Sequence, residues 1–531
     1  MISYAKKIFQ ARKARRRQAL KKQWLDTDKI RYFDSIETYF RLTCPANEAG
    51  VVDDKVWLDL DMNTVFGCID ATQTDIGQQY LYKKLRVLNS DEIALRQNFY
   101  TIEKLRANES LRNDLQASLK YLEKGSASIL AKIIFGARAY TKISRALVSI
   151  WAVFSVVAIV WSIVFSGYYV YLLLSVVVVN FTIAQVFEQK TEAASGELYY
   201  LKKLLSASCK IANNKNVREI PQCIQLHNSY RKISRVNSRI HWMSLSQGSD
   251  NLVVSNVAYI FNLLCVYDIL VYAYSAQLLT RNIGLIRDCF ECIGAIDANM
   301  AIASYVERCG TICKPNWVAG QHFDLLGVYH PLVEDSVAND FISAGKSSVV
   351  TGSNMAGKTT FIKTIGVNLI LSRTLFICHA SRADMPMIDI HSSIKNTDAL
   401  EDGLSYYFSE LIHIKAFLNL PATNPSSLIL IDEIFRGTNT TERIAGSVAV
   451  LEALAKNNIV LVTTHDVELE HYLVGQYDLW HFEETGDSKQ PFDYRLKPGV
   501  CRSTNALKLM ANIGYPEHIT RRAQTIVATM S

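Results

Sequence analysis

The chain has 531 residues, with 57 basic and 50 acidic side chains and a formal net charge of +7. This length is enough for several hydrophobic cores, and from length alone we expect about three domains. The eleven cysteines are scattered without a tight spacing pattern, which excludes a small disulfide-framed secreted domain and indicates reduced thiols.

The excess of positive charge lies in the first 25 residues. This segment contains nine Lys or Arg and no acidic residue, which leaves 48 basic and 50 acidic residues in the rest of the chain. We treat residues 1–45 as a basic N-terminal arm that would bind a polyanion, either DNA phosphates or an anionic membrane surface. A solvated run of charge without a partner is the alternative. The segment lacks the apolar stretch of a secretory signal.

Residues 30–130 are predicted to be mainly helical. Residues 56–88 have apolar side chains at mixed spacing, with a helix-start signal between Thr72 and Asp75. We place this segment near the beginning of a mostly helical region that covers residues 46–315.

The most distinctive composition occurs in residues 146–187. These 42 consecutive residues include no Asp, Glu, Lys, Arg or His. At about 1.5 Å per helical residue, the segment can cross a hydrocarbon layer of roughly 30 Å twice. Ser166 and Gly167 predict a turn at its midpoint. The cations before the segment, which predict a cytoplasmic start, are Lys132, Arg138, Lys142 and Arg145. We therefore predict a transmembrane helical hairpin, with a buried antiparallel helix pair as the alternative.

The residues after this hairpin return to a polar helical pattern. KISRVNSRIHWMSL, which begins at Lys232, predicts an amphipathic helix whose cations face either solvent or DNA. A second apolar run, residues 252–279, contains Asp268, and a carboxylate at mid-span would cost about 3 kcal/mol in a bilayer. We therefore assign this run to the soluble core and not to a third membrane span.

Four cysteines have a spacing close to that of zinc sites. They are Cys289, Cys292, Cys309 and Cys313. The segment DCFECIGAIDANMAIASYVE has helical periodicity, and cysteines three apart on a helix commonly pack in a core. We therefore expect packing residues here and no zinc.

A phosphate-binding loop is predicted in SSVVTGSNMAGKTTFIK, residues 347–363. A β-branched run enters a loop of the form G-x-x-x-x-G-K-[ST], and a helix follows. The backbone N–H groups of such a loop and the positive end of its helix bind nucleotide phosphates. Lys358 would neutralise the β and γ phosphates of ATP, and Thr359 would bind Mg²⁺. The predicted ATP-binding residues are Gly352, Ser353, Asn354, Met355, Ala356, Gly357, Lys358, Thr359 and Thr360.

Two further strands carry the catalytic candidates. The apolar residues 428–431 predict a buried strand that ends at Asp432 and Glu433. Carboxylates at the C-terminal end of a parallel strand lie beside the phosphate loop. Asp432 is therefore predicted to hold Mg²⁺ through water, and Glu433 to orient the attacking water. A third strand, IVLVTTHD, leads to His465, which either senses the γ-phosphate or caps the strand.

Together these motifs resemble the MutS family of ATPases, the DNA mismatch-repair group and its relatives. TGSNMAGKTT is similar to the family's phosphate loop, DEIFRGTNTTE to its strand-end and signature segment, and TTHD to its switch histidine. DALEDGLSYYFSEL is similar to the family's S-T-F-x-x-E segment, with Ser405, Tyr407 and Glu410 in the matching places. HPLVEDSVANDF, from His330, resembles the segment that helps hold adenine, with Ser336 and Val337 where an aromatic residue is expected.

The resemblance spans residues 316–531 and implies an α/β P-loop NTPase domain of the MutS/ABC-like type, C-terminal to a helical core and clamp. It implies a homodimer in which Ser405 reaches across to the partner's γ-phosphate, and it implies DNA as a partner. The catalytic residues of the composite sites would be Glu433, Lys358, Ser405 and His465. The 55 residues before Val56 contain no Phe-x-Glu motif of the family's mismatch-reading domain, so mismatch reading by that means is not expected.

We therefore predict an ATP- and Mg²⁺-dependent, MutS-like, DNA-binding ATPase related to DNA mismatch repair. It is expected to be dimeric and tethered to the cytoplasmic membrane, with its ATPase domain facing the cytoplasm. Two alternatives come from other classes: a membrane ABC-type motor, and a nucleotide-switched scaffold that does not act on DNA. An ABC-type motor would need an LSGGQ-like signature, and DEIFRGTNT stands in a different place and form.

Overall fold

The computed structural model describes most of the chain from residue 24 to residue 530. Outside the description are residues 1–23, 46–47, 49, 121, 123–126, 137–143, 166, 244–263, 344, 354, 395–405, 421–426, 436–438, 467, 485–491, 501–509, 511–513 and 531. Most of the basic arm, Asn354 and Ser405 therefore lie outside the described residues.

The chain forms two compact units that do not follow its linear order. One contains Met1–Ala46, Ile69–Lys83 and Tyr100–Glu307, and the other contains Asn47–Cys68, Lys84–Phe99 and Arg308–Ser531. The division thus differs from the predicted linear boundary at residues 315 and 316. The difference arises from contacts between residues far apart in sequence, which a scan of composition along the chain does not detect.

Helices make up most of the described chain between residues 33 and 308, as predicted for residues 30–130. They are α1 (Phe33–Ile36), α2 (Thr38–Thr43), α3 (Asp54–Asp59), α4 (Met62–Ile69), α5 (Asp75–Arg86), α6 (Glu92–Ala107), α7 (Glu109–Leu119), α8 (Ala127–Phe135), α9 (Arg145–Phe165), α10 (Tyr169–Asn213), α11 (Pro221–Met243) and α12 (Tyr267–Arg308). The helix start predicted at Thr72 to Asp75 is confirmed by the first residue of α5.

The charge-free segment forms two antiparallel helices, α9 and the first part of α10. Gly167 lies between them with φ of 71°, a left-handed conformation that glycine adopts without steric cost, and it confirms the predicted turn. Trp151 donates its indole N–H to Asn180 Oδ1 at 2.8 Å, which joins the two helices. The helical hairpin is therefore present, and its insertion in a membrane stays a prediction.

Helix α12 forms the centre of the first unit. Its buried Asp297 accepts hydrogen bonds from the backbone N–H groups of Gln73 (2.9 Å) and Thr74 (2.8 Å), immediately before α5 begins. Cys289 and Cys292 are buried on the same helix, as expected for packing residues, and burial raises the pKa of each thiol to about 12. Such thiols stay protonated at neutral pH.

The second unit contains two sheets. The larger has the strand order β10-β9-β4-β8-β7-β6, in which all neighbours are parallel except β9 and β10; the smaller has the order β1-β5-β2-β3. The strands are β1 (Asn316–Trp317), β2 (Phe323–Val328), β3 (Asn339–Ser343), β4 (Ser347–Thr351), β5 (Arg382–Met385), β6 (Ile390–Ser393), β7 (Leu428–Asp432), β8 (Ile459–Thr463), β9 (Tyr477–Glu484) and β10 (Phe492–Pro498). The helices are α13 (Lys358–Leu375), α14 (Tyr406–Leu418), α15 (Thr440–Ala455), α16 (Glu468–Leu473) and α17 (Glu517–Met530).

Residues from the N-terminal half complete this α/β unit. The buried Asp59 carboxylate accepts hydrogen bonds from Ser392 Oγ (2.8 Å) and from the N–H of Ile394 (2.9 Å), at the end of β6. A Cβ on Gly366 of α13 would lie 2.7 Å from a Leu430 methyl and 2.9 Å from a Leu60 methyl. The close fit explains why residues 47–68 belong to this unit.

Two glycines of α12 differ in their surroundings, and we expect alanine to have opposite effects on stability at the two positions. A Cβ at Gly294 would lie 2.8 Å from Tyr80 Cβ, whereas a Cβ at Gly284 would meet nothing within 4 Å. Gly294→Ala is expected to destabilise the helical unit by about 1–3 kcal/mol through overpacking. Gly284→Ala is expected to stabilise it by up to about 1 kcal/mol, since alanine favours the helix. Thermal unfolding of the detergent-solubilised variants, followed by circular dichroism, measures both effects, and equal shifts would contradict this packing.

Candidate active site

The predicted strand, loop and helix of the phosphate-binding segment are confirmed. β4 is buried along its whole length, and the loop leaves it at Gly352, whose φ is 137°. A Cβ at Gly352 would lie 2.8 Å from the backbone oxygen of Phe482, so no larger residue fits. Gly357, with φ of 102°, occupies the N-cap position of α13, and Lys358 is the first residue of that helix. The positive end of α13 therefore points into the loop.

Lys358 is buried, and its ammonium group has hydrogen-bond partners within the site. Its Nζ donates to the backbone oxygens of Gly352 (2.6 Å) and Ser353 (3.0 Å), and it lies 3.1 Å from Nδ1 of His465. A buried ammonium is costly unless it is hydrogen-bonded, and these three acceptors supply the bonds. The lysine is thus held at the loop, where phosphate oxygens can replace the carbonyl acceptors.

Thr359 and Asp432 form the candidate metal site. Thr359 Oγ1 lies 3.1 Å from Asp432 Oδ1 and 3.0 Å from Asp432 Oδ2, and the hydroxyl of Thr463 also donates to Oδ1. All of these atoms are oxygens, the ligand type that Mg²⁺ prefers. A hydroxyl next to a strand-end carboxylate, beside the first turn of α13, fits the predicted Mg²⁺ position.

Glu433 and His465 are in direct contact. Glu433 follows β7 with φ of 57°, and its N–H donates to Thr463 O at 3.0 Å. Its Oε1 contacts Nε2 of His465. Because Lys358 can only donate, Nδ1 of His465 acts as acceptor, and Nε2 carries the proton given to Glu433. A hydrogen-bond chain thus runs from Lys358 through His465 to Glu433.

A cavity of about 450 Å³ lies next to the phosphate loop. Its walls include His330, Ser336, Val337, Met355, Thr360 and Tyr494. Burial and the nearby Lys363 ammonium lower the pKa of His330 to about 4, so this imidazole is neutral at pH 7. The segment that begins at His330 lines this cavity, and its part in holding adenine stays a prediction.

Tyr494 brings an aromatic ring to the cavity that Ser336 and Val337 also line, and the sequence analysis did not single it out. The register of β10 against β9 shifts between Phe492 and Leu496, and Tyr494 in this irregular stretch has φ of 54°. Asn339 holds the stretch on both sides: its Nδ2 donates to Tyr494 O at 3.0 Å, and its Oδ1 accepts from the Leu496 N–H at 2.7 Å. Strand irregularities commonly re-aim a side chain towards a site, and here the ring passes over Gly357, whose added Cβ would lie 3.4 Å from Tyr494 Cδ1.

Glu410, one of the positions matching the S-T-F-x-x-E segment, supports the backbone after Glu433. Its buried carboxylate accepts the N–H of Phe435 at 2.6 Å, and Phe435 has φ of 61°. The ring of Tyr407, also on α14, lies 6.2 Å from that of Phe435. α14 thus holds the turn that follows Glu433, the candidate catalytic carboxylate. Ser405, immediately before α14, lies outside the described residues, so its predicted role stays a prediction.

The parallel sheet, the glycine-bounded loop entering α13 and the carboxylates at the end of the neighbouring strand define a P-loop ATPase-like domain. Residues 348–531 match the family model described as MutS domain V. This part of the chain is therefore similar to MutS domain V, and the match supports the MutS resemblance that its motifs predicted.

Curated relatives match over less than half of this chain. Endonuclease MutS2 of Thermus thermophilus is 28% identical over 248 residues, which are 45% of this chain and 32% of that protein. Endonuclease MutS2 of Streptococcus equi subsp. equi is 32% identical over 212 residues, 39% of this chain and 27% of that protein. DNA mismatch repair protein MutS of Thermus aquaticus is 28% identical over 259 residues, 47% of this chain and 31% of that protein. Each match thus covers about a third or less of the relative's own length.

The position of Tyr494 leads to a prediction about nucleotide affinity. Stacking of a base on an aromatic ring contributes about 1–3 kcal/mol. Tyr494→Ala is therefore expected to weaken ATP binding about tenfold or more, whereas Tyr494→Phe keeps the ring and most of the affinity. Titration with a fluorescent ATP analogue measures both values. Tyr472→Ala, which removes an exposed tyrosine of α16 outside the cavity lining, is the control, and equal weakening in all three variants would exclude a stacking role.

Proposed function

We propose that this protein binds ATP with Mg²⁺ and hydrolyses it. The observation that carries the proposal is the contact between Glu433 and His465, at the end of the strand beside the phosphate loop and joined to Lys358. A carboxylate in this position can orient a water molecule, and a lysine in this position can neutralise phosphate charge.

Each residue has one task in the proposed reaction. Lys358 exchanges the carbonyl oxygens of Gly352 and Ser353 for phosphate oxygens, which are charged and therefore stronger acceptors. Thr359 and Asp432 would hold Mg²⁺, which neutralises charge that develops on the phosphates when it is bound. Glu433 aligns the attacking water, and the N–H proton on His465 Nε2 holds Glu433 in position.

Two alanine variants separate phosphate binding from water activation. Lys358→Ala is expected to weaken ATP binding about 100-fold, because it removes the charge that faces the phosphates. Glu433→Ala is expected to keep ATP bound and to lower kcat by about 10²- to 10⁴-fold, because it removes the group that acts on water. Equilibrium binding and single-turnover hydrolysis give the two quantities separately.

Lys346→Ala is the matched control, since it removes an exposed lysine just before β4. It is expected to change neither ATP affinity nor kcat. The same loss of ATP affinity in Lys358→Ala and Glu433→Ala would overturn the assigned roles.

We further propose that the ATPase acts on DNA as a homodimer. The support is the match of residues 348–531 to MutS domain V and the similarity to a DNA mismatch repair protein, MutS of Thermus aquaticus. In such a dimer Ser405 would reach the γ-phosphate bound by the partner. Turnover with and without DNA tests the coupling, because a membrane transport motor or a nucleotide-switched scaffold would show no stimulation by DNA.

The helical hairpin supports a membrane-tethered form of this ATPase. The most apolar windows of α9 and α10 have mean hydropathies of 2.5 and 2.2, yet only 22% and 11% of their residues are buried in the protein. Large exposed apolar surfaces mark contact with a membrane or a partner. A lipid bilayer would cover both helices, and the cations at the start of the hairpin in the sequence favour a cytoplasmic position for the ATPase domain.

Labelling at the tip of the hairpin tests this arrangement. Tyr168→Cys, in the exposed turn, is expected to react in intact cells with a maleimide that does not cross membranes, above the background of the native cysteines. Tyr472→Cys, exposed in the ATPase domain, is expected to react only after permeabilisation. The protein should also stay in the membrane pellet during a carbonate wash and leave it in detergent.

Two results would show that the hairpin does not span a membrane. One is release of the protein by carbonate alone. The other is labelling of residue 168 only after permeabilisation, as for residue 472.

A further inference from the structure

Asp466, the residue after His465, forms an ion pair with Arg443 that contains two hydrogen bonds. Arg443 on α15 donates from Nε to Asp466 Oδ2 at 2.9 Å and from Nη2 to Asp466 Oδ1 at 2.6 Å. The side chains are only 23% and 17% exposed. Paired, charge-assisted hydrogen bonds of this kind fix geometry as well as adding energy, which separates this contact from an ordinary surface ion pair.

The loop that carries His465 has further attachments on the sheet side. The N–H of Thr464 donates to Val350 O of β4 at 3.1 Å, and the N–H of Asp466 donates to Thr464 Oγ1 at 3.0 Å. The backbone oxygen of Asp466 accepts from the Leu469 N–H at 3.2 Å, where α16 begins. His465 thus lies between two residues whose backbone positions are fixed, and the Asp466 carboxylate is the side-chain anchor of the loop.

On the helix side, Arg443 is held by the N-terminal cap of α15. The Asn439 side chain accepts the N–H of Glu442 at 3.0 Å, and its backbone oxygen accepts the N–H of Arg443 at 2.9 Å. The hydrogen bond to Asp466 raises the pKa of Arg443 above its usual value, and the nearby carboxylates of Glu468 and Glu433 add to this shift. Arg443 is therefore a permanently charged group on a rigid helix, one turn after its start.

We propose that Arg443 is a positioning residue for ATP hydrolysis: through Asp466 it holds His465 between Lys358 and Glu433. We call the Arg443–Asp466 pair the loop latch. The proposal rests on the proposed ATPase function and adds to it a residue that touches none of the reacting groups by hydrogen bonding. Small displacements of a catalytic group can lower a rate by one to two orders of magnitude, so a latch of this kind affects kcat.

If the latch positions His465, its loss should lower kcat and leave KM for ATP almost unchanged. Arg443→Gln and Asp466→Asn are each expected to lower kcat about tenfold and to change KM for ATP less than about twofold, since Lys358 and the cavity remain in place. The double variant is expected to be no slower than either single variant, because both changes open the same contact. Exchange of the two charges, in Arg443→Asp combined with Asp466→Arg, is expected to restore part of kcat.

A double-mutant cycle with His465 tests whether Arg443 acts through the histidine. In a His465→Ala background, Arg443→Gln is expected to cause no further loss of kcat, because the group it positions is already absent. Additive losses would overturn the proposal and would indicate that the guanidinium acts directly at the site. Arg382→Gln is the matched control, since it removes an arginine paired with Asp384 in the smaller sheet and is expected to leave kcat unchanged.

Different results would overturn the latch proposal and the ATPase proposal. Wild-type turnover that depends on Glu433 and Lys358 but is unchanged in Arg443→Gln overturns the latch and leaves the ATPase intact. Absence of Glu433-dependent turnover in the wild type overturns both. Unchanged ATP affinity, together with partial rescue by the charge exchange, distinguishes the latch from a general loss of folding.

Discussion

The parallel register of β4, β8 and β7 sets the positions of the catalytic candidates. Thr463 of β8 is paired with Val350 of β4 on one side and with Asp432 of β7 on the other. The three strands therefore end at one level, where the phosphate loop, the carboxylates and the switch histidine follow in turn. A slip of one residue in any strand would point its side chains to the opposite face and would separate Asp432 from Thr359.

The buried ammonium of Lys358 links the phosphate loop to His465. Its charge requires acceptors, and the loop carbonyls and His465 Nδ1 supply them. The histidine then presents its N–H to Glu433. In the proposed ATPase, phosphate oxygens would compete for the same lysine, and nucleotide binding and the orientation of the Glu433 carboxylate would be coupled through one imidazole. The loop latch acts on this same imidazole from the other side.

The elements predicted correctly are those whose signals are local in sequence. Gly352, Gly357 and Lys358 lie within seven positions of each other, and Gly167 marks the hairpin turn on its own. Tyr494 and Arg443 could not be found this way. Tyr494 reaches the cavity because β10 changes register and Asn339, 155 residues earlier, holds its backbone. Arg443 meets Asp466 only after α15 packs beside β8, and the division into two units likewise depends on long-range contacts of Asp59 and Leu60.

Three helices of the described chain are long and apolar enough to cross a membrane, and their burial divides them. In the segment Leu279–Arg308 of α12, 94% of the most apolar window is inside the protein, against 22% for α9 and 11% for the first part of α10. Mean hydropathy points the same way, at 1.2 for this segment against 2.5 and 2.2 for the two hairpin helices, but burial separates the helices more sharply. Within the hairpin the buried positions of α9 are small, namely Ala152, Ser155, Ala158 and Ser162, and Asn180 is bonded to Trp151. Small residues and internal polar bonds allow close contact between helices whose other faces are apolar, which is the pattern of helices packed in lipid. The case for a membrane therefore depends on the exposed apolar side chains of α9 and of the first part of α10. The apolar segment of α12, by contrast, is buried inside the protein.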